Sequence, residues 1–310
     1  MYQNFEGIYQ NLIDQIGNLA QEKEEYRIKM KRVYVTVIAI VSIFLLIGVL
    51  YFHGIIVDYS QLKLVLLVTV ILSVIALIIV VVKAVNVSAK FNSIFKKQVL
   101  PKMILNIDEN LTYKPKQGLS EKQYKDSDIA IDFNTFKSED YISGFFADNA
   151  LLEMSEINAQ FITVNQDGVV NVIDSFNGIL VVATLKKTVN NKIKIVKNSI
   201  WKLDRKANIR IASLEFEKYF DVYADDKVQA MQIFTSDIID QILYFAQELK
   251  IKVQISIKDN KFYMTFETGE MYEGGITKNT KDLLSRYYLV TSFIVDIVKK
   301  INKSIEEIVL

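Results

Sequence analysis

Two long uncharged runs dominate the hydrophobic pattern of the chain. Residues 33–52 and 64–82 each hold about twenty positions without Asp, Glu, Lys or Arg. A helix of that length crosses about 30 Å of hydrocarbon. The few polar side chains in the runs are Ser and Thr, whose hydroxyls bond to carbonyls of their own helix. The pattern predicts a transmembrane helical hairpin over residues 33–83.

Two other interpretations of these runs fit the sequence less well. Buried core helices rarely need two such runs in direct succession. A cleaved signal peptide would start earlier, would end at a small-residue cleavage site and would not be followed at once by a second apolar run. We therefore expect both runs to lie in a lipid bilayer.

The charges around the hairpin predict its orientation. Lys and Arg cluster before the first run and after the second, whereas the connecting loop offers only Lys63 as a cation. Because cytoplasmic segments beside a span carry the excess of Lys and Arg, both termini are expected in the cytoplasm. The chain is rich in Ile, Lys, Asn and Tyr, a usage associated with bacteria. The predicted location is the inner membrane of a bacterium.

The two runs also bear on transport. They carry no charged side chain of the kind that proton relays and ion pathways use, which argues against a pump or a secondary transporter. A hydrophobic pore built by several copies stays open.

Helical patterns flank the hairpin on both sides. In residues 1–32, apolar side chains recur at helical spacing and predict an amphipathic helix. This helix either lies on the bilayer or a partner, or packs on its own protein. Residues 84–109 predict a helical stalk that pairs with the first extension, and Pro101 is expected to kink or restart its helix.

Beyond the stalk, residues 110–310 predict a cytoplasmic α+β domain. A polar stretch at residues 110–128 predicts a linker. Residues 129–211 are rich in β-branched and aromatic runs, which predict an antiparallel sheet of about five strands. Turn signals between or within these runs are Asn165-Gln166-Asp167-Gly168, Asn177-Gly178 and Asn190-Asn191.

The last third of the chain predicts flanking helices and one more hairpin. A helix is expected over residues 237–249, with Thr235 or Ser236 as its cap. Residues 252–266 predict a hairpin that turns at Asp259-Asn260. A long final helix is expected over residues 278–310.

Composition removes several classes of chemistry. The chain has no Cys and a single His, His53. Ser-His and Cys-His mechanisms are therefore excluded, and zinc sites are not expected. Phosphate-binding loops, zinc-protease motifs and nucleophile elbows are also missing from the sequence. No cofactor is predicted, whereas a Ser-Lys pair or a carboxylate pair with a metal stays open.

One group of carboxylates is a weak candidate for a cation site. Asp221, Asp225 and Asp226 are the tightest acidic cluster, and carboxylate oxygens are ligands of Mg²⁺ and Ca²⁺. Their spacing does not match a known calcium loop. A solvated turn is the favoured interpretation, and the metal site is the alternative.

Charge is segregated along the domain. Residues 126–174 contain ten carboxylates and one Lys, whereas residues 186–210 contain nine cations and one Asp. The basic stretch predicts a surface for anionic lipid heads. Alternatively, acidic and basic strand faces neighbour each other and cancel. The candidates are Lys186, Lys187, Lys192, Lys194, Lys197, Lys202, Arg205, Lys206 and Arg210.

Short motifs in the domain resemble a known family. Residues 215–230 read EFEKYFDVYADDKVQA, and further matches are EDYISG at 139–144, SEI at 155–157, FNGILVV at 176–182, KDNKFY at 258–263 and YE at 272–273. These strings resemble the bacterial family called domain of unknown function 3137. The chain departs from the family pattern after Ala230, where Met231 or Gln232 replaces the usual Arg and Phe234-Thr235-Ser236 replaces Leu-Thr-Pro. The resemblance implies an integral membrane protein with a cytoplasmic α+β domain, and it implies no reaction.

The sequence as a whole predicts a membrane-anchored cytoplasmic interaction or regulatory module without enzymatic activity. Its expected partners are the lipid bilayer and either another protein or a second copy, and nucleic acid is not expected. The alternative is a membrane-associated enzyme that acts on lipid or envelope material through carboxylates or a Ser-Lys pair. An enzyme predicts a concave pocket with converging carboxylates, whereas an interaction module predicts an exposed apolar or one-sign patch.

Overall fold

The chain forms two compact units. The computed structural model describes residues 5–16, 19–52, 59–146, 150–197 and 214–308. Residues 3–99 with 273–283 form the helical unit, and residues 100–272 with 284–310 form the α+β unit. The predicted α+β fold class, with an antiparallel sheet and flanking helices, is confirmed. The predicted domain boundaries stay predictions.

Two long helices make up most of the helical unit. Its helices are α1 (Phe5–Ile16), α2 (Leu19–Phe52) and α3 (Tyr59–Ile94), followed by a π-helical turn (Phe95–Val99). Among the described residues, Gln21–Val49 and Val70–Ile107 are long and apolar enough to cross a membrane by length and composition. This finding agrees with the two predicted spans.

A π-helical turn, Phe95–Val99, interrupts the stalk helix directly before α4 (Leu100–Ile107), and Val70–Ile107 runs as one helix. Pro101 lies just after this turn, where the changed hydrogen-bond pattern accommodates the N–H that Pro lacks.

Six antiparallel strands form the sheet of the α+β unit. The strands are β1 (Thr112–Lys114), β2 (Thr135–Phe146), β3 (Ala150–Val164), β4 (Val170–Lys197), β5 (Phe220–Ala224) and β6 (Lys252–Glu267). Their order is β1-β2-β3-β4-β5, and β6 also pairs with β4. Residues 179–184 of β4 pair with both β3 and β6, so β3 and β6 lie on opposite edges of this strand.

The predicted turn at residues 165–168 connects β3 and β4 and is confirmed, whereas the other predicted turns are wrong because their residues lie inside continuous strands. β4 passes through Asn177-Gly178 and Asn190-Asn191, and its pairing with β6 shifts register around Val189. β6 passes through Asp259, which adopts a φ of 57°. Asn, Asp and Gly suit β-bulges as well as turns, since both need unusual backbone angles.

The predicted linker at residues 110–128 is also wrong. It contains β1, which pairs with β2, and the short helix α5 (Glu121–Lys125). Ser120 and Gln123 form a capping box at the start of α5, which explains how five residues hold a helical turn.

Helices α6 to α9 complete the α+β unit. They are α6 (Leu214–Tyr219), α7 (Lys227–Ile233), α8 (Ser236–Gln247) and α9 (Thr280–Glu307). The last two lie close to the predicted ranges. Thr235 is the cap residue of α8, as predicted, although its side chain makes no capping hydrogen bond.

The sheet carries an apolar core on each face. Phe245 of α8, Phe293 of α9 and Phe266 of β6 pack on one face, with the rings of Phe245 and Phe293 3.6 Å apart. On the other face, buried Tyr124 of α5 packs against Phe176 of β4, with ring centroids 5.7 Å apart. Side chains alternate between the faces along a strand, so β4 and β6 contribute to both cores.

The close pairing of β4 and β6 generates a stability prediction. A Cβ at Gly178 would overlap the carbonyl oxygen of Phe266. We expect Gly178→Ala to lower the free energy of unfolding by about 1–3 kcal/mol or more, because the paired strands must separate locally. Thermal unfolding of the full chain in detergent measures this. Gly48→Ala in α2 is the control, since a Cβ there meets nothing within 4 Å and the backbone is helical; equal melting of the two variants would contradict the prediction.

Candidate membrane and partner interfaces

Helices α2 and α3 expose apolar side chains over most of their length. Ile38, Leu46, Leu72 and Val82 are each between 51% and 65% exposed, and their apolar neighbours behave alike. The hydroxyls of Thr36 and Ser42 donate to carbonyls four residues earlier at 2.8 Å. Polar groups within this surface are thus bonded inside their own helix, as expected for a segment in hydrocarbon.

A basic cleft lies between α2 and α3 at the end of this apolar surface. It encloses about 400 Å³. Its lining residues, called the basic cleft below, are Lys29, Arg32, Val33, Thr36, Val80, Lys83, Asn86, Val87 and Lys90. Four of these nine side chains are cationic and none is acidic.

Helix α1 packs on its own protein. Leu12 is fully buried, and the Glu6 carboxylate lies 2.6 Å from the Lys281 ammonium. This hydrogen bond lowers the pKa of Glu6 and raises the pKa of Lys281. The Lys23 ammonium of α2 donates to the Thr280 hydroxyl at 2.8 Å. Burial lowers the pKa of Lys23. Of the two interpretations of the N-terminal helix, the structure supports packing within the chain.

The predicted pairing of the two extensions is present. The rings of Tyr26 on α2 and Phe91 on α3 lie 5.9 Å apart. Beyond them, Lys96 forms an ion pair with Glu273 at 2.5 Å. α2 and α3 therefore remain in contact outside the uncharged runs.

Two of the three candidate metal ligands hold a turn. The Asp226 carboxylate caps α7 by accepting from the N–H groups of Val228 and Gln229 at 2.8 and 3.2 Å. The Asp225 carboxylate accepts from the N–H of Lys192 at 3.2 Å. Asp221 is buried on β5. The metal site stays a prediction, and the observed contacts agree with the turn interpretation.

Asn191 organises this turn from a distant part of the chain. Its side-chain oxygen accepts from the N–H groups of Asp225 and Asp226 at 2.9 and 3.0 Å, and its amide donates to the Asp226 carbonyl at 2.7 Å. The side chain is almost fully buried. The sequence analysis missed this role because the partners are 34 or more positions apart.

Two lysines of the basic stretch have partners among the described residues, and the predicted lipid-facing surface stays a prediction. The Lys187 ammonium donates to the carbonyls of Glu306 and Ile308 at 2.6 and 3.2 Å, at the C-terminal end of α9, where a cation is favourable. Lys186 lies beside Glu306 at 4.0 Å. The remaining candidates divide in two: Lys192, Lys194 and Lys197 lie on β4, whereas Lys202, Arg205, Lys206 and Arg210 lie outside the described residues.

Buried polar residues from three of the short motifs form a network in the α+β unit. Asp140 is fully buried in a bulge of β2 with a φ of 57°, and its carboxylate accepts from the Tyr113 hydroxyl. The Glu156 carboxylate accepts from the N–H of Met271 at 3.0 Å. Burial raises the pKa of Tyr272, and the carboxylates of Glu156 and Asp140 raise it further. In the sequence, acidic residues within otherwise apolar strands indicate this network.

The β3–β4 ribbon, residues 161–173, is an exposed apolar surface. Beyond the Gln160–Thr135 pair β3 has no strand partner but β4, and β6 joins β4 only from Ile179. One face of the ribbon carries Ile162, Val164, Val170 and Val172, and the last three are 52–64% exposed. The sequence predicted both strands but not their projection beyond the neighbouring strands.

Two clefts in the described part of the α+β unit each contain two or more lysines. One of about 430 Å³ contains Lys197, Lys218, Lys250 and Lys252 and no carboxylate. Another, of about 490 Å³, contains Asp108 and Glu306, but the Asp108 carboxylate is paired with Lys299 at 2.6 Å. Burial favours a higher pKa for Asp108, and the bonds from Lys299 and Asn110 outweigh it, so its pKa is lowered.

Comparison with known proteins supports one resemblance. A family model described as protein of unknown function, DUF3137, matches residues 174–303. The chain resembles the DUF3137 family. The match runs from β4 into α9 and contains the EFEKYFDVYADDKVQA string, so the resemblance stated from the sequence is confirmed. No curated protein matches the chain.

One solved structure is similar over much of the chain. It is the crystal structure of the mycobacterial trehalose monomycolate transport factor A, TtfA, with a TM-score of 0.36 and 8% sequence identity. The alignment covers 66% of this chain and 93% of that one. A likeness at this TM-score supports no statement about function.

The Asn191 contacts generate a prediction that separates the turn from a metal site. Asn191→Ala leaves three backbone groups without their partner and should lower the free energy of unfolding by about 2–3 kcal/mol. Asn190→Ala, at an exposed neighbouring position, should have little effect. Thermal unfolding measures both.

Thermal unfolding also tests whether Asp221, Asp225 and Asp226 bind a cation. We expect Mg²⁺ and Ca²⁺ to leave the melting temperature unchanged, because the carboxylates of Asp225 and Asp226 already accept backbone hydrogen bonds. A cation-dependent rise that Asp225→Asn abolishes would contradict the turn interpretation.

Proposed function

We propose that the chain is a membrane-anchored interaction or regulatory module of a bacterial inner membrane, without enzymatic activity. α2 and α3 cross the bilayer, and both termini and the α+β unit lie in the cytoplasm. The single observation that carries the interaction role is the exposed apolar face of the β3–β4 ribbon.

The anchor rests on the apolar surface of α2 and α3. Side chains such as Ile38 and Leu72 are more than half exposed within the protein, and a bilayer would remove them from water. The orientation rests on charge, because Lys and Arg flank the outer ends of the two runs and are nearly absent between them.

The ribbon suits a protein partner in two ways. Its aliphatic face offers apolar area that a partner can bury, and contiguous exposed patches of this kind are uncommon in isolated soluble proteins. On β3, the Asn134 side chain already bonds the C=O and N–H of Ile162 at 2.7 and 2.8 Å. The outer edge of β4 before Ile179 carries backbone groups without a neighbouring strand among the described residues. A partner can add a strand there, or a second copy can do so.

The enzyme alternative has less support. It requires a pocket where carboxylates converge on a substrate. In the described clefts of the α+β unit, Asp108 is paired with Lys299, and Glu306 accepts from Asn302 at 2.9 Å. These contacts favour structural roles for the two carboxylates.

The absence of Cys allows a direct test of the topology. Asp58→Cys places a thiol in the predicted outer loop, and Lys303→Cys places one on α9, where the native side chain is 76% exposed. In intact bacterial cells, a membrane-impermeant thiol reagent should label Asp58→Cys at once and Lys303→Cys only after permeabilisation. The unsubstituted chain should not be labelled. Labelling of Lys303→Cys in intact cells, or extraction of the protein by alkaline carbonate, would overturn the proposed anchor.

A pair of ribbon variants tests the interaction role. Val170→Thr with Val172→Thr keeps β-branched side chains and removes apolar area from the aliphatic face. We expect the amount of cross-linked partner or cross-linked second copy recovered from membranes to fall several-fold, with an unchanged melting temperature. Asn171→Thr, on the opposite face of the ribbon, is the control. Equal recovery from the double variant and the control would count against the ribbon as the interaction surface.

A further inference from the structure

Four cations converge on one cleft between α2 and α3. Lys29 and Arg32 line the basic cleft from α2, and Lys83 and Lys90 line it from α3. The lining positions recur every three or four residues on each helix, so each helix turns one face toward the cleft. The cluster is therefore a consequence of helical register and not of sequence proximity alone.

The lining changes from apolar to basic along the helices. Val33, Thr36 and Val80 belong to the uncharged runs, whereas the four cations and Asn86 lie just beyond the ends of those runs. With the helices in a bilayer, this boundary lies at the depth where phospholipid headgroups meet the acyl chains.

The positive charge of the cleft is not neutralised within the described residues. Residues 26–52 and 59–107 contain no Asp or Glu. None of the four cations forms an ion pair in the described part of the chain, and the Lys29 ammonium lies over the Tyr26 ring at 4.7 Å. Two cations just outside the cleft do form ion pairs. Arg27 pairs with Glu24 at 2.9 Å, and Lys96 pairs with Glu273 at 2.5 Å.

We infer that the basic cleft binds the phosphate-bearing headgroup of an anionic phospholipid; this inference rests on the proposed membrane insertion. The Arg32 guanidinium offers paired donors that match phosphate oxygens, and the three ammonium groups supply point charges around it. Val33, Val80 and Val87 offer apolar contact for the glycerol and the first acyl carbons. A cavity of about 400 Å³ lies within the range of small-molecule sites.

The lipid is the source of phosphate that the position of the cleft favours. A headgroup at the bilayer surface is held at the depth of the four cations, and its acyl chains continue along the exposed apolar surface of α3, where Ile78 and Val81 are each more than half exposed. A soluble phosphate would match the cations but would leave the valines of the cleft unmatched.

The test uses the full chain in nanodiscs of phosphatidylcholine with a minority of phosphatidylglycerol. After mild detergent extraction, mass spectrometry counts the lipid of each kind retained by the protein. Wild type should retain phosphatidylglycerol in preference to phosphatidylcholine. Arg32→Gln with Lys83→Gln should reduce this retention roughly tenfold or more, because each cation near a headgroup contributes several-fold to binding.

A matched double variant separates a built site from diffuse attraction. Arg27→Gln with Lys31→Gln removes one Arg and one Lys within six residues of the first run without touching the lining of the cleft. It should retain phosphatidylglycerol within about twofold of wild type. An equal loss in both double variants would overturn the inference, since general surface charge would then explain the binding.

Two further measurements distinguish the ways in which the inferred lipid binding can fail. Displacement of the retained lipid by inorganic phosphate at millimolar concentration would assign the cleft to a soluble ligand and overturn the lipid assignment. A protein that enters nanodiscs but shows no preference between the two lipids overturns this inference alone. A protein that does not enter nanodiscs overturns the proposed membrane anchor as well.

Discussion

The apolar surface of α2 and α3 has to leave water, and the rest of the helical unit is arranged around that requirement. The hydroxyls of Thr36 and Ser42 bond inside their helix, so the apolar stretch carries no unsatisfied side chain at these positions. Charged residues appear only beyond the ends of the uncharged runs. There the contacts become polar, with Lys23 on Thr280, Lys281 on Glu6 and Lys96 on Glu273.

The α+β unit depends on a different constraint, which is the double-sided pairing of β4. This strand of 28 residues pairs with β3, β5 and β6, and it supplies side chains to the cores on both faces. Its pairing with β6 shifts register on both sides of Val189, and Asn191 lies in the second of these shifts. Gly178 allows the close approach of β6, and Asn191 ties the end of β4 to the turn before α7.

Periodicity predicted the elements that repeat over many residues. The helix before residue 250 and the final helix were predicted close to their observed bounds, because each buries a long stripe. The two apolar runs lie inside longer helices, Leu19–Phe52 and Tyr59–Ile94, and residues 19–32 belong to the first of these. The strands were predicted too short, because Asn177-Gly178, Asn190-Asn191 and Asp259-Asn260 are residue types that occur both in turns and within strands at bulges. The candidate site was only partly predictable. Asp225 and Asp226 stood out as acidic neighbours, but their partner Asn191 is set by strand pairing that local sequence does not encode.

The short motifs that resemble the DUF3137 family make structural contacts in this fold. Asp140 forms the bulge of β2, Glu156 holds the backbone at Met271, and Asp226 caps α7. Each of these carboxylates accepts a hydrogen bond from the protein and so has a structural role in this fold. Specificity is then to be sought where the chain leaves side chains exposed, at the aliphatic face of the β3–β4 ribbon and at the basic cleft between α2 and α3.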